Sequence, residues 1–249
     1  MLRATCSVLV VAVLAPSCAS HEATMIDSRV ADSGVDPDAL DAAQTGDAGC
    51  EAHDAAVCCT RRRLFLDFEG ASLVAAATDD ARIDHSYLIT SDKTVPPFLA
   101  GAADRDTVIA AIVAQLEQEL AGHDVVVMQT RPATYDYMMV VFGGNSAAIL
   151  GQSGIAALGP LDCGDTTRND VILVFDADNA VVAANGAMHG LGAAIGLSNT
   201  TLANDCLAMS IAASPCTLSA SAPVAPVACP GAGATQDEPA AFTTDLACR

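Results

Sequence analysis

Short apolar runs alternate with amphipathic stretches through the middle of the chain. The apolar runs have the length of buried strands, and they are LFLDF (64–68), DVVVMQT (124–130), YMMVVFGG (137–144) and DVILVFDAD (170–178). Between the first two runs, residues 104–122 carry apolar side chains at helical spacing, and a second helix is predicted from about residue 181 to 197. This order predicts an α/β (α+β) fold, in which a mixed twisted sheet is backed by a helix.

The flanking segments divide the chain into four parts. Residues 1–17 have the features of a signal peptide, and residues 18–60 form an acidic segment that has too few large apolar side chains to fold. We expect that segment to be an extended, disordered tether. Residues 61–210 hold the predicted domain, and residues 211–249 form a tail rich in Cys, Pro and Ala that disulfides are expected to pin.

The first residues are typical of an export signal. Arg3 precedes an apolar run at 8–14, and small residues follow the run up to Cys18. The run is too short to remain as a membrane span. The segment resembles a bacterial lipoprotein signal, although Ala15 stands where leucine is usual. The resemblance implies an exported protein that a lipid on Cys18 attaches to a bacterial membrane, at the cell surface or in the periplasm. A plain secreted protein is the alternative.

The cysteine count agrees with export. The chain has ten cysteines, of which Cys6 would leave with the signal and Cys18 would carry the lipid. An even number in an exported chain suggests up to four disulfides, whose connectivity the sequence leaves open. The remaining cysteines are Cys50, Cys58, Cys59, Cys163, Cys206, Cys216, Cys229 and Cys248.

The strongly negative net charge makes nucleic acid an unsuitable partner. The formal net charge is −19, and Lys93 is the single lysine of the chain. Binding to nucleic acid requires basic side chains that neutralise phosphates, so a nucleic-acid partner is not expected. Strong acidity mainly favours solubility. We expect a monomer that reaches a membrane only through its lipid.

The segment AMHGLGAAIGLSN (187–199) has glycine spacing that fits several motifs. A dinucleotide-binding loop needs its glycines directly between a strand and a helix, but Gly190, Gly192 and Gly196 fall within or at the end of the predicted helix. A membrane helix would use the Gly192 and Gly196 pair for packing, but its apolar content is mostly alanine and it includes His189. Neither interpretation explains the segment.

A third interpretation explains more of the residues. Metzincin zinc proteases carry the helical motif H-E-x-x-H-x-x-G-x-x-H, followed by a methionine turn. His189 matches the first histidine of the motif, Gly196 matches its glycine, and Met209 in NDCLAMS falls where the methionine turn is expected. With the order of strands and helices added, residues 63–210 resemble a metzincin-like zinc metalloprotease domain. The resemblance implies that the second predicted helix is an active-site helix.

The remaining motif positions depart from the family. Gly190 replaces the glutamate that acts as general base, Ala193 replaces the second histidine, and Asn199 replaces the third. A catalytic zinc needs three protein ligands, and His189 alone would be a vestigial single ligand. Loss of the base removes the proton transfer that activates water. The resemblance therefore implies a catalytically inactive homologue, for which no cofactor is expected.

Three functions remain open at this point. An inactive protease homologue would bind a peptide or protein in its former substrate cleft, along the sheet edge, without cleaving it. An active zinc-dependent metallopeptidase would need a rewired metal site, for which His85, His123 and Asp205 are the available donors. A disulfide-rich surface scaffold would have its cleft filled by its own loops or tail.

Overall fold

The structure is a computed structural model that describes residues 61–133, 136–177, 179–225 and 229–246. The predicted signal peptide, the lipidation site Cys18 and the acidic tether lie outside the described residues. Within the described ranges, no helix combines the length and apolarity that a membrane crossing requires.

Ten strands and four α-helices make up the described part of the chain. They are β1 (Arg62–Asp67), β2 (Ser72–Ala75), β3 (His85–Ser86), β4 (Lys93–Thr94), α1 (Arg105–Glu119), β5 (Val125–Met128), β6 (Met138–Phe142), α2 (Ser146–Leu150), β7 (Ala157–Leu158), β8 (Val171–Val174), α3 (Ala180–Ala194), β9 (Ala222–Pro223), β10 (Thr235–Gln236) and α4 (Glu238–Asp245). A short 3-10 turn, Ala81–Ile83, lies between β2 and β3.

The main sheet has five strands in the order β5-β1-β6-β8-β7. The first four are parallel, and β7 pairs antiparallel with β8 at one edge. The strands β1, β5, β6 and β8 correspond to the four predicted apolar runs. The mixed sheet with helices confirms the predicted α/β class. Two further sheets are smaller, with the orders β3-β2-β4 and β10-β9.

Alternating side chains along β1 supply two separate cores. Leu64 and Leu66 join a cluster that also contains buried residues of α1 and α3. Phe65 points to the opposite face and joins a cluster that includes Leu73 of β2 and Ile149 of α2. The main sheet is therefore covered on both faces, which is the usual state of a sheet with buried parallel strands.

The C-terminal segment is part of the same structure. Disulfides join Cys163 to Cys229 and Cys206 to Cys216. The short helix α4 adds Phe242 to the cluster that contains α1 and α3, and the buried Leu246 follows it there. The segment after residue 211 thus carries core side chains in addition to one cysteine of each disulfide.

Candidate functional site

Helix α3 contains most of the segment that resembles the protease motif. It spans Ala180–Ala194, and Asn179 caps its start by accepting a hydrogen bond from the N–H of Val181. Gly196 has a φ of 87°, and the N–H of Leu197 donates to the carbonyl of Gly192 at 2.9 Å. These contacts form a Schellman ending, which requires the left-handed conformation that glycine adopts most easily.

The glycines inside α3 allow close packing on the main sheet. A Cβ on Gly186 would lie 3.0 Å from Cβ of Ala157 in β7, and a Cβ on Gly190 would lie 2.3 Å from Cγ2 of Ile172 in β8. Facing the helix, a Cβ on Gly159 would lie 2.3 Å from the carbonyl oxygen of Gly190. The position that carries the general base in the protease motif therefore faces the sheet, where no side chain fits.

His189 lies on a different face of α3, beneath the loop that follows the helix. Burial lowers the pKa of its imidazole, while the backbone of Cys206 and the carboxylate of Asp205 act in the opposite direction. Its Nδ1 atom is buried and has no hydrogen-bond partner among the described residues. The structure thus brings the predicted ligand His189 close to Asp205, one of the donors considered for a rewired site.

The loop over His189 is fastened to α3 at several points. The Cys206–Cys216 disulfide closes the loop, and Leu207 packs where a Cβ on Gly192 would lie. Asn185, which is almost completely buried, donates from Nδ2 to the carbonyls of Ala212 and Ser214 at 2.9 and 2.8 Å. These hydrogen bonds hold the protein's own chain against the helix next to His189.

The other predicted site residues provide no metal donor here. Ala193 is buried, and its carbonyl accepts from the N–H of Asp162 and of Gly196. Asn199 is half-buried, and its backbone carbonyl accepts from the N–H of Ala225 at 2.7 Å. Met209, in the predicted methionine turn, has a side chain that is 69% exposed.

The residues around His189 do not fit a catalytic zinc. Such a zinc takes three protein ligands, at about 2.0–2.2 Å for nitrogen and oxygen donors, and leaves one position open for water. The structure brings no three His, Cys, Asp or Glu side chains of the described ranges together as a metal site. His85 pairs with Val74 in the small sheet, and the ring of His123 lies 5.7 Å from that of Phe242.

A second polar cluster lies beside Asp205, and the sequence did not predict it. Glu238 is fully buried at the start of α4, where its carboxylate accepts from the N–H of Ser219 at 2.9 Å and from Nε2 of Gln236 at 3.0 Å. Burial, together with the neighbouring carboxylate of Asp205, raises the pKa of Glu238 to about 7. The sequence contained a signal for α4. Asp237 is a residue type that caps helices, and Pro239 two positions later is typical of a first helical turn.

The edge strand β7 has backbone groups that face away from the sheet. Phe175 donates its N–H to the carbonyl of Ala156 at 2.9 Å, so these two residues form a hydrogen-bonded pair. Hydrogen-bonded and non-hydrogen-bonded pairs alternate along antiparallel strands. The N–H and C=O of Ala157, which stands opposite Val174, therefore point outward from the sheet. Among the described residues, no strand continues the sheet beyond β7.

A cavity of about 440 Å³ opens at the carboxyl end of β1, beside the start of α1. Arg105 lies at its wall, where the guanidinium donates to the carbonyls of Phe98 and Phe68 and to the carboxylate of Glu69. Desolvation raises the pKa of Asp67 in the same wall. The guanidinium is therefore already engaged within the protein.

Comparisons with known proteins assign no family. No protein-family model matches the chain, and no curated protein sequence is significantly similar to it.

Proposed function

We propose that this protein is a catalytically inactive, metzincin-like metalloprotease homologue that binds an extended peptide or protein segment without cleaving it. The proposal includes export and attachment to a bacterial membrane through a lipid on Cys18. Its support comes from the helix motif around His189 and from the order of strands and helices in residues 63–210.

The packing of Gly190 is the main observation that supports an inactive domain. At this position the protease motif has the general base, which must reach a metal-bound water. Here a Cβ would lie 2.3 Å from Ile172, inside the contact between α3 and β8. A carboxylate has no room on this face of the helix, and Ala193 and Asn199 replace two ligands. Catalysis by the protease route has neither its base nor its metal ligands.

The edge strand β7 supports peptide binding. An extended peptide can add a strand to an exposed sheet edge through main-chain hydrogen bonds. Ala157 offers an outward N–H and C=O, while its Cβ is directed towards Gly186 of α3. A peptide at this edge would extend the sheet beside β7, the strand against which α3 packs at Gly186.

A specific observation favours a second candidate function, the surface scaffold. The loop closed by Cys206–Cys216 lies over His189, and Asn185 fastens that loop to α3. Under this alternative the protein's own chain fills the cleft, and the domain serves only as a stable platform.

Metal content tests the inactive state. Elemental analysis of the purified protein, after dialysis against a weak chelator, is expected to give no stoichiometric zinc. An assay with an unfolded protein substrate and added ZnCl2 is expected to show no cleavage. One tightly held zinc per chain, lost when His189 is replaced by alanine, would contradict the proposal and would favour a rewired metallopeptidase.

Peptide display tests binding at β7. We expect a library of unstructured 12-residue peptides on phage to yield sequences that bind the full-length protein. Ala157→Pro removes the outward N–H at an edge position that tolerates proline, and it should weaken binding at least tenfold. Ala157→Ser keeps the N–H and serves as the matched control. Absence of enriched peptides would favour the scaffold, and binding unchanged by Ala157→Pro would exclude β7 as the binding edge.

A further inference from the structure

Two buried aspartates lie together at the amino end of the main sheet, far along the chain from each other. Asp79 precedes the turn Ala81–Ile83, and Asp170 directly precedes β8. The N–H of Ala81 donates to the carbonyl of Asn169 at 2.8 Å, which places the two segments side by side. Asp79 is 6% exposed and Asp170 is 1% exposed. Both carboxyl groups are therefore almost completely removed from solvent.

Each of these carboxyl groups has one oxygen without a hydrogen bond. Asp79 accepts from the N–H of Tyr87 at 2.9 Å through Oδ1, and the hydroxyl of Ser86 and the N–H of Val171 also favour its ionised form. The Oδ2 atoms of Asp79 and of Asp170 are buried and have no hydrogen-bond partner among the described residues. Buried polar atoms are almost always paired, since an unpaired one loses its hydration without replacement. Both unpaired oxygens thus call for a positively charged or hydrogen-bonding occupant.

Arg62, which favours the ionised form of Asp170, already pairs with another carboxylate. Arg62 makes two hydrogen bonds of 2.8 Å to the carboxylate of Asp165, and both side chains are buried. A further carboxylate, that of Asp162, accepts from Thr166 Oγ1 and from the N–H of Thr167. Three carboxylates, those of Asp79, Asp162 and Asp165, act against the ionised form of Asp170.

The surroundings of Asp79 and Asp170 favour the protonated form of both carboxyl groups. Desolvation raises the pKa of Asp170 to about 8, and the Asp79 carboxylate contributes the next-largest effect in the same direction. Desolvation also raises the pKa of Asp79, to about 6. A bound cation would favour the ionised form of both groups and would lower both pKa values.

We propose that Asp79 and Asp170 bind a Ca²⁺ ion that ties the segment between β2 and β3 to the start of β8. Ca²⁺ takes about 6–8 oxygen ligands in flexible geometry, of which two bidentate carboxylates can supply four, and carbonyl and hydroxyl oxygens can supply the others. The buried hydroxyl of Ser86 lies beside Asp79 as a neutral oxygen donor. Mg²⁺ fits less well, since it usually keeps several waters, and this site is almost closed to solvent.

Calcium binding to the full-length protein tests this site. The protein is treated with EDTA, dialysed and titrated with CaCl2 or MgCl2 while its thermal unfolding is followed. We expect CaCl2 at ten times its Kd to raise the Tm by about 3 °C, with MgCl2 much less effective. Asp170→Asn should abolish the response. Asp106→Asn removes the same charge from a side chain that is 98% exposed, and it should leave the response intact.

The variants also separate the site from weak binding elsewhere on this acidic chain. The segment 18–60 is identical in every variant, so a calcium response in Asp170→Asn as large as that of the wild type contradicts the proposal. A wild-type protein that does not respond to CaCl2 also contradicts it, and Asp170 would then hold a proton instead. If Asp170→Asn fails to fold, Asp79→Asn provides the same comparison, and loss of the response there supports the site.

Discussion

Gly190 of α3 packs directly against Ile172 of β8, and a Cβ on the glycine would lie 2.3 Å from Cγ2 of the isoleucine. Real Cβ atoms do not approach a neighbour so closely, so the contact depends on the absence of a side chain. The same glycine stands where the protease motif places its catalytic glutamate. Under the proposal of an inactive protease homologue, the close packing and the missing base coincide at this residue.

Alanine at position 190 should destabilise the domain. Alanine gains about 1 kcal/mol over glycine in helix propensity, but overpacking a core costs about 1–3 kcal/mol, and the close contact with Ile172 favours the upper end of that range. We expect a net loss of about 2 kcal/mol in the free energy of urea unfolding. In an Ile172→Ala background the clashing atom is gone, so Gly190→Ala should cost much less there. Equal costs in both backgrounds would contradict the packing shown.

Removal of the Cys206–Cys216 disulfide should expose His189. Replacing both cysteines with serine should lower the free energy of unfolding by about 3 kcal/mol through loop entropy. Because burial lowers the pKa of His189, a loosened loop should let that pKa rise towards its ordinary value of 6.5. NMR titration of the histidine ring protons measures the change. Serines at Cys163 and Cys229 provide the control, in which stability falls but the pKa of His189 stays depressed.

Asp165→Asn should be strongly destabilising. Asp165 has a φ of 49°, which asparagine also tolerates, so the substitution removes charge with little backbone strain. It leaves Arg62 buried without a counter-ion, which typically costs about 3–5 kcal/mol. Asp136→Asn breaks the exposed pair with Arg82 and should cost less than about 1 kcal/mol. Chemical unfolding of the two variants compares them, and similar losses would contradict the buried pair.

Glu238 should make stability depend on pH. Its pKa is raised from an ordinary 4.5 to about 7, so the folded state holds a proton that the unfolded state has lost in that window. The stability that Glu238 contributes is full below pH 4.5 and falls as pH rises to about 7, by at most about 1.4 kcal/mol per pH unit. Glu238→Gln should reduce the slope measured across pH 4–8 by the share of one group, and the share of Asp79 and Asp170, whose pKa values are also raised, should remain. Glu117→Gln, at an exposed position, is the control, and a slope unchanged in Glu238→Gln would contradict a raised pKa for Glu238.

The sequence predicted the long elements because their patterns are strong. The continuous apolar runs of β1, β5, β6 and β8 and the helical spacing of α1 leave few alternatives. The short strands were missed, since two residues such as Ala157–Leu158 in β7 carry no measurable period and lie in a glycine-rich stretch. Helix α4 was missed although Asp237 caps it, because the surrounding Pro, Ala and Ser residues are typical of a tail.

The candidate site was predictable only where it is local in sequence. His189, Gly190 and Ala193 follow from one motif on one helix. Asp79 and Asp170 are far apart in the sequence, as are Asp205 and Glu238. Their proximity depends on the tertiary fold, so the spacing of residues along the chain does not predict it. The sequence predicted that Gly190 stands in place of a catalytic base, and the structure adds that β8 leaves no room for a side chain there.

The position of α4 bears on when the domain folds during synthesis. Phe242 and Leu246 come from the last described part of the chain, yet they share a core with Leu64 and Leu66 of the first strand. A nascent chain that still lacks these residues leaves part of that core open to water. The domain should therefore reach its native state only after the chain up to Leu246 has emerged, and a shorter nascent chain should remain loosely structured until then.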